Sequence, residues 1–411
     1  MSFNEELLDD YIDILSGFAF KTKDFVDKGV PIIKIKNISP PCVTLDDLTY
    51  VSNEVAEKQK KFILSYDDVL IAMTGSHINQ WASVVGRVAR VKYYDSTLLN
   101  QRVGKITIKD NAEADINYIY YYLSQDTVKI ELATKAGGAA NQANISPAHI
   151  KGLSFPCPDL ATQNKIGNIL KSYDDLIENN QKQIKLLEEA AKRLYKEWFI
   201  DLHFPGYEDV EIVDGVPDGW TKDRAECFFK ITIGKTPPRA EKQWFVNGND
   251  GIPWISISDM GNAGVFTFKT SEGLTEEAIK KHKMKIVPSG TIFVSFKLTV
   301  GRVAIATTEM CTNEAIAHFY VNDSLQAYTY CYLSNFEYDT LGNTSSISKA
   351  VNSKIIKAMP FIMPSQGIVE KFSAIVSPIL SEIKVNQKMC NYLSEARDRL
   401  LPKLMSGEIK V

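Results

Sequence analysis

Few residues in this chain are spaced for covalent chemistry. "IGKTP" (233–237) ends like a phosphate-binding loop, but that loop needs a glycine where Phe229 stands, and Pro237 follows Thr236. The five histidines (77, 149, 203, 282, 318) form no HExxH or other metal-ligand spacing. No Asn-Pro-Pro-aromatic motif, no Gly-x-Gly-x-x-Gly and no nucleophile beside a base occurs, and "PDGWTKD" (217–223) reads as a turn. The six cysteines are scattered without a CxxC pair, as expected of reduced, buried thiols in a cytoplasmic protein. The chain therefore reads as a binder, not an enzyme, with no metal and no cofactor of its own. What remains is hydrogen-bonding chemistry from amides, hydroxyls and cations, and its candidates sit at recurring places.

The recurrence is a duplication. "GVPIIKIKNI" (29–38) matches "GIPWISISDM" (251–260), and "DVLIAM" (68–73) matches "GTIFVS" (290–295), both at an offset of 222. "VGRVA" recurs at 215, "YYYLS" (120–124) as "YCYLS" at 210, and "NNQKQI" (179–184) as "VNQKMC" at 206. The order is kept and the offset never grows, so the second copy has shorter loops. In each copy a strand with period two is expected, with Ile33 and Ile35 (Ile255 and Ile257) inward. Lys34 and Lys36 would face out in the first copy and Ser256 and Ser258 in the second.

The net charge of −3 argues mildly against nucleic acid, yet each VGRVA copy lies in a locally basic window. Residues 71–109 hold six Lys/Arg against one acid, and residues 279–305 hold six against none. DNA-contact candidates are Lys34, Lys36, Arg87, Arg90, Lys235, Ser256, Ser258, Lys297 and Arg302, with phosphate the commoner partner for a single cation. Base readers are expected in the loops of unequal length: Ser76, His77, Asn79 and Gln80 in the first copy, Lys297 with Phe296 in the second. A further loop pair offers Gln142 and Asn144 against Ser346 and Lys349. Asn and Gln suit adenine, and Arg suits guanine. Gly86 and Gly301 should turn the backbone, with Val85, Val88, Val300 and Val303 packed inward.

Elements must hold these loops apart. A 4,3 apolar seam runs from Ile166 through Leu170, Tyr173, Ile177, Asn180, Ile184, Leu187, Ala191 and Leu194 to Trp198. Adding 206 gives Phe372, Val376, Ile379, Ile383, Asn386, Cys390, Leu393, Arg397, Leu400 and Leu404. Two long coiled-coil helices are predicted, with Asn180 and Asn386 setting the register. Pro378 should kink the second or mark its start, Pro402 should end it, and Arg397 is a charge in the seam. The pairing could run either way; an antiparallel one would relate the halves by a two-fold-like axis. No stretch of 18 apolar residues occurs, so no membrane span is expected, and the acidic start of the chain does not read as a signal peptide.

These segments carry a likeness. "SGFAFKTKDF" (16–25), "GVPIIKIKNI", "RLYKEWFIDLHFPG" (193–206), "VPDGWTKD", "IGKTPPRAEKQWF", "GIPWISISDM" and "RLLPKLMSGEI" (399–409) resemble the specificity subunit of type I restriction–modification enzymes. The resemblance implies an α+β fold: two globular α/β target-recognition domains separated by two long helices in an intramolecular antiparallel coiled coil, a pseudo-two-fold repeat. The corresponding boundaries are 1–160 and 221–365 for the domains, 161–202 and 366–411 for the helical regions, and 203–220 for a linker. It implies double-stranded DNA, two modification (methyltransferase) subunits and two restriction (translocase–endonuclease) subunits as partners. S-adenosylmethionine, ATP and Mg would be used by those subunits. The helix length would act as a ruler between two half-sites about one DNA turn of ~34 Å apart. The specificity subunit of a related restriction system, and a two-headed scaffold without a DNA role, remain the alternative readings.

Overall fold

The computed structural model describes residues 3–138, 142–248, 250–341 and 351–411. Contacts divide the chain into two compact units, Met1–Leu176 with Leu393–Val411, and Ile177–Tyr392. The expected boundaries at 160/161 and 365/366 do not coincide with this division, because each long helix gives part of its length to either unit.

The first unit holds a six-stranded sheet in the order Ile12–Ser16, Val103–Ile108, Val69–Ala72, Val88–Arg90, Cys42–Val43, Ile38–Ser39. The second holds a sheet in the order Lys230–Ile233, Ile316–Tyr320, Ile292–Ser295, Val303–Ala306, Phe266–Thr267. The first five strands of the one correspond in order to the five of the other, down to the parallel pair beside the VGRVA strand (Arg90 with Cys42, Phe266 with Ile305), and Ile38–Ser39 is an added edge in the first unit. A second sheet is also shared: Val30–Ile33 runs parallel to Thr97–Leu99, and Ile252–Ile255 parallel to Cys311–Thr312. The duplication read from the sequence is thus a duplication of topology.

Register refines it. Val88 pairs with Ile71, whereas Val303 pairs with Val294. The strand at 68–73 therefore matches at 223, one residue beyond the sequence alignment. Ile71 and Val294 face the helix-side core in their respective units, while their neighbours Leu70 and Phe293 face a second core, so a one-residue slip would exchange the two sets.

The strand expected over 29–38 ends at Ile33, and its partner at Ile255. The cause is local. Asn37 Oδ1 accepts from the Lys34 N–H at 3.0 Å and Asp259 Oδ2 from the Ser256 N–H at 2.9 Å, closing a helical turn in each copy. An Asx side chain bonding back to the backbone competes with the sheet ladder and stops the strand.

The heptads fold as read. One helix spans Leu160–Tyr195 and the other Gln366–Met405, and every seam position is buried or half-buried. At about 1.5 Å per residue they measure ~54 and ~60 Å. Pro378 does not start the second helix, and Pro402 does not end it: both are exposed within the helix, which runs from Gln366 to Met405. Within the second unit Gln183 meets Asn386, Ile177 meets Cys390 and Trp198 meets Phe372, so the helices run antiparallel. The two seam asparagines do not face one another. Asn386 donates to Gln183 Oε1 at 3.3 Å, while Asn180 bonds the Cys390 thiol. In the first unit the charged seam residue finds its partner, for Arg397 Nη1 bonds Asp174. Among the described residues no helix is long and apolar enough to cross a membrane.

Candidate nucleic-acid interface

In the first unit three segments converge. The turn carrying Lys34 and Lys36 and the loop 76–83 are tied by Arg87, whose Nη1 donates to Ala82 O at 2.8 Å and Nη2 to Ile35 O at 3.4 Å. The segment with Gln142 and Asn144 joins them, since Thr74 Oγ1 donates to Asn144 Oδ1 at 2.8 Å and Thr74 pairs with Asn144 in a short antiparallel ladder. Within the loop, Ser76 Oγ donates to Gln80 O at 2.6 Å, and the Ser76 N–H donates to Ser83 O. Among the groups left facing water are Lys36, Gln142, Asn79, Gln80 and two the sequence did not single out, Ile78 and Trp81. Lys129 Nζ lies 5.0 Å from the Trp81 ring centroid.

The second unit repeats the device with less chain. Arg302 Nη1 donates to Ile257 O at 2.7 Å, and Ile257 is the counterpart of Ile35. Gly261 makes room for it; a Cβ there would lie 2.6 Å from Nη1. The loop between Phe296 and Gly301 exposes Lys297, Leu298, Thr299 and Val300. Gly86 and Gly301 both have left-handed φ, +83° and +87°. A side chain at either would also strike a neighbour, Leu132 or Tyr338.

Several candidates are corrected by this geometry. Arg90 is 3% exposed and faces Asp67, Asn117 and the Tyr120 ring, so it has no surface to offer a ligand. Phe296 is fully buried, because the one-residue shift in register makes it the counterpart of Met73, the last inward residue of its strand. Ser76 is buried and latches its loop, and Asn144 is held by Thr74. Val300 is exposed rather than inward. Arg87 and Arg302 hold loops to turns; burial lowers the Arg87 pKa from its usual value, consistent with a structural cation. Lys34 is half-buried, donates to Thr49 Oγ1 at 2.8 Å and has its pKa lowered, chiefly by that burial. Lys36 is paired with Asp47, Lys235 Nζ donates to His282 O at 2.6 Å, and Ser256 caps a helix while Ser258 and Lys297 are exposed. His77 is half-buried in its loop. Ser346 and Lys349 lie outside the described residues.

The basic window at 71–109 is largely answered by acids distant in sequence or beside it. Arg90 and Lys92 meet Asp67, Lys105 meets Asp68 and Lys109 meets Asp9. Its local excess of charge is thus mostly internal.

Residues 3–189 and 217–392 match the family described as the type I restriction modification DNA specificity domain, one match for each copy of the repeat. The chain belongs to the type I restriction–modification specificity family. It is 31% identical over 351 residues to the type I restriction enzyme MjaIX specificity subunit of Methanocaldococcus jannaschii, covering 80% of this chain and 76% of that protein. The HindI specificity subunit of Haemophilus influenzae is 27% identical, covering 63% and 70%. The crystal structure of a type I S subunit from M. genitalium shares the fold, with a TM-score of 0.61 over 98% of this chain and 96% of that one, at 14% identity. Each of the two matched segments contains one of the two latching arginines, Arg87 in the first and Arg302 in the second. Among the described residues, no group of three His, Cys, Asp or Glu side chains could hold a metal ion.

Proposed function

We propose that this chain reads a split, asymmetric DNA target, one half-site per unit, within a type I restriction–modification complex. One observation carries the reading. Both units pin a loop to a capped turn with an arginine at the equivalent place, yet the loops end in different chemistry: Ile78, Asn79, Gln80 and Trp81 in one, Lys297, Leu298, Thr299 and Val300 in the other. A constant frame with different tips suits two readers of different sequences, so the target is not a palindrome. Methylation and cleavage would belong to partner subunits, which would supply S-adenosylmethionine, ATP and Mg; this chain's residues bind and orient DNA.

The helices support a docking role for the modification subunit. On the second unit Leu186 is 66% exposed, and Val385, Met389 and Tyr392 form an exposed i, i+4, i+7 stripe on the other helix. The antiparallel register sets Leu186 at about the level of Val385, and exposed apolar residues on neighbouring helices are the kind of surface a partner helix covers.

The deciding experiment measures binding of the chain with its modification subunit to target and to random duplex against salt. Phosphate neutralisation predicts a linear fall of log K with log salt on both, and a specific excess on the target. A flat salt response, or equal affinity for both duplexes, overturns the reading.

A further inference from the structure

Leu298 stands at the tip of the second reading loop, 90% exposed and with φ at +63°. Both features are unfavourable for leucine: its aliphatic side chain meets water, and left-handed backbone is disfavoured for residues with a Cβ. The loop nevertheless imposes them. Ser295 Oγ donates to Thr299 O at 2.5 Å, the Gly301 N–H to Ser295 O at 2.9 Å, and the Arg302 N–H to Ser295 Oγ at 3.0 Å. Packing inside the unit does not explain a leucine here. A strained, outward residue on a braced loop points to a role in what the loop touches.

The loop's polar means are thin. Lys297 Nζ lies 5.7 Å from the Phe296 ring centroid, and the Thr299 carbonyl already accepts from Ser295. Between Phe296 and Gly301 there is no Asn, Gln, Arg or acid to read donors and acceptors on a base edge. Beside the Lys297 ammonium and the Thr299 hydroxyl, what the tip presents is methyl groups, from Leu298, Thr299 and Val300. In the major groove the apolar feature that distinguishes one base from the others is the C5-methyl of thymine. We propose that Leu298 is a specificity-determining residue that packs against the C5-methyl of a thymine in the half-site of the second unit. This rests on the DNA-reading function above. The first loop, with its Asn79 and Gln80 amides, supplies an internal control.

The test uses the complex of the full chain with its modification subunit. The target is first identified from the methylated adenines in DNA of cells carrying the system. Duplexes are then made with deoxyuridine replacing each thymidine in turn, which removes the methyl and keeps the pairing. For the wild-type chain, one replacement in one half-site should weaken binding about tenfold. Leu298→Gly should bind the two duplexes equally and keep discrimination in the other half-site. Its melting temperature should not fall, since glycine accepts the positive φ, so misfolding cannot mimic the result. The proposal is overturned if every deoxyuridine in that half-site is silent, if Leu298→Gly stays sensitive, or if it loses affinity equally on random DNA. A wild-type complex that does not prefer its target would instead overturn the DNA-reading function itself.

Discussion

At the scale of single residues, Arg87 and Arg302 changed role most. Their recurrence beside variable loops suggested a phosphate anchor, but each spends its guanidinium on the carbonyl of Ile35 or Ile257. Arg87→Ala should therefore degrade discrimination in one half-site while leaving the salt slope of binding to random DNA unchanged. A slope reduced by about one would restore the anchor reading. His318 gives a second residue-scale prediction. It is fully buried between Thr232 Oγ1 at 2.9 Å and Thr312 Oγ1 at 2.6 Å, and burial pushes its pKa down to about 3. The unfolded chain takes up that proton near pH 6.5 and the folded one does not, so stability is full above that pH and falls as pH drops. Between pH 7 and 5 the second unit should lose about 2 kcal/mol from this group. Denaturation followed by tryptophan fluorescence, which four of the five tryptophans report from this unit, should show the loss, and His318→Gln should flatten it.

At the scale of elements, the same junction between helix pair and sheet domain is built twice with opposite chemistry. In the first unit Asp174 is bonded by Arg397 and by Tyr121 Oη at 2.5 Å, in a cleft of about 500 Å³ that these side chains line. The corresponding positions in the second unit are Leu380, Ala191 and Cys331, all buried in its apolar core. Arg397→Ala should cost about 3 kcal/mol, because it leaves Asp174 without its cation in a poorly solvated place. Adding Asp174→Leu, which copies the second unit, should recover most of that loss in a urea melt. A double variant as unstable as the single one would show that the pair is not exchangeable for packing. The elements were also where the sequence was most legible. Seam residues such as Ile166, Phe372 and Ile383 announce the helices by spacing alone. The ends of the strands at Ile33 and Ile255 were not legible, because a single Asx side chain decides them against an unbroken apolar alternation. Ion pairs such as Arg90–Asp67 and Lys109–Asp9 join residues whose proximity only the fold creates, so the basic windows looked freer than they are. Leu298 was passed over for the same reason: its exposure and strain are products of the Ser295 latch.

At the scale of the whole chain, function follows from duplication with divergence at the tips. A partner that docks on the helices should leave DNA reading intact when that docking is weakened. Leu186→Glu with Met389→Glu should abolish co-purification of the modification subunit while leaving the circular dichroism spectrum and melting temperature of this chain unchanged. Retained co-purification would move the docking surface elsewhere.

The first unit draws Leu404 and Met405 into its core, and these follow the whole of the second unit along the chain. Its hydrophobic interior is therefore incomplete throughout the synthesis of residues 177–392. The half that leaves the ribosome first is the half that closes last. During translation the cell must shield a half-finished reader, and a message cut short after Tyr392 would yield a product with one sealed unit and one open core, a natural substrate for chaperones and proteases.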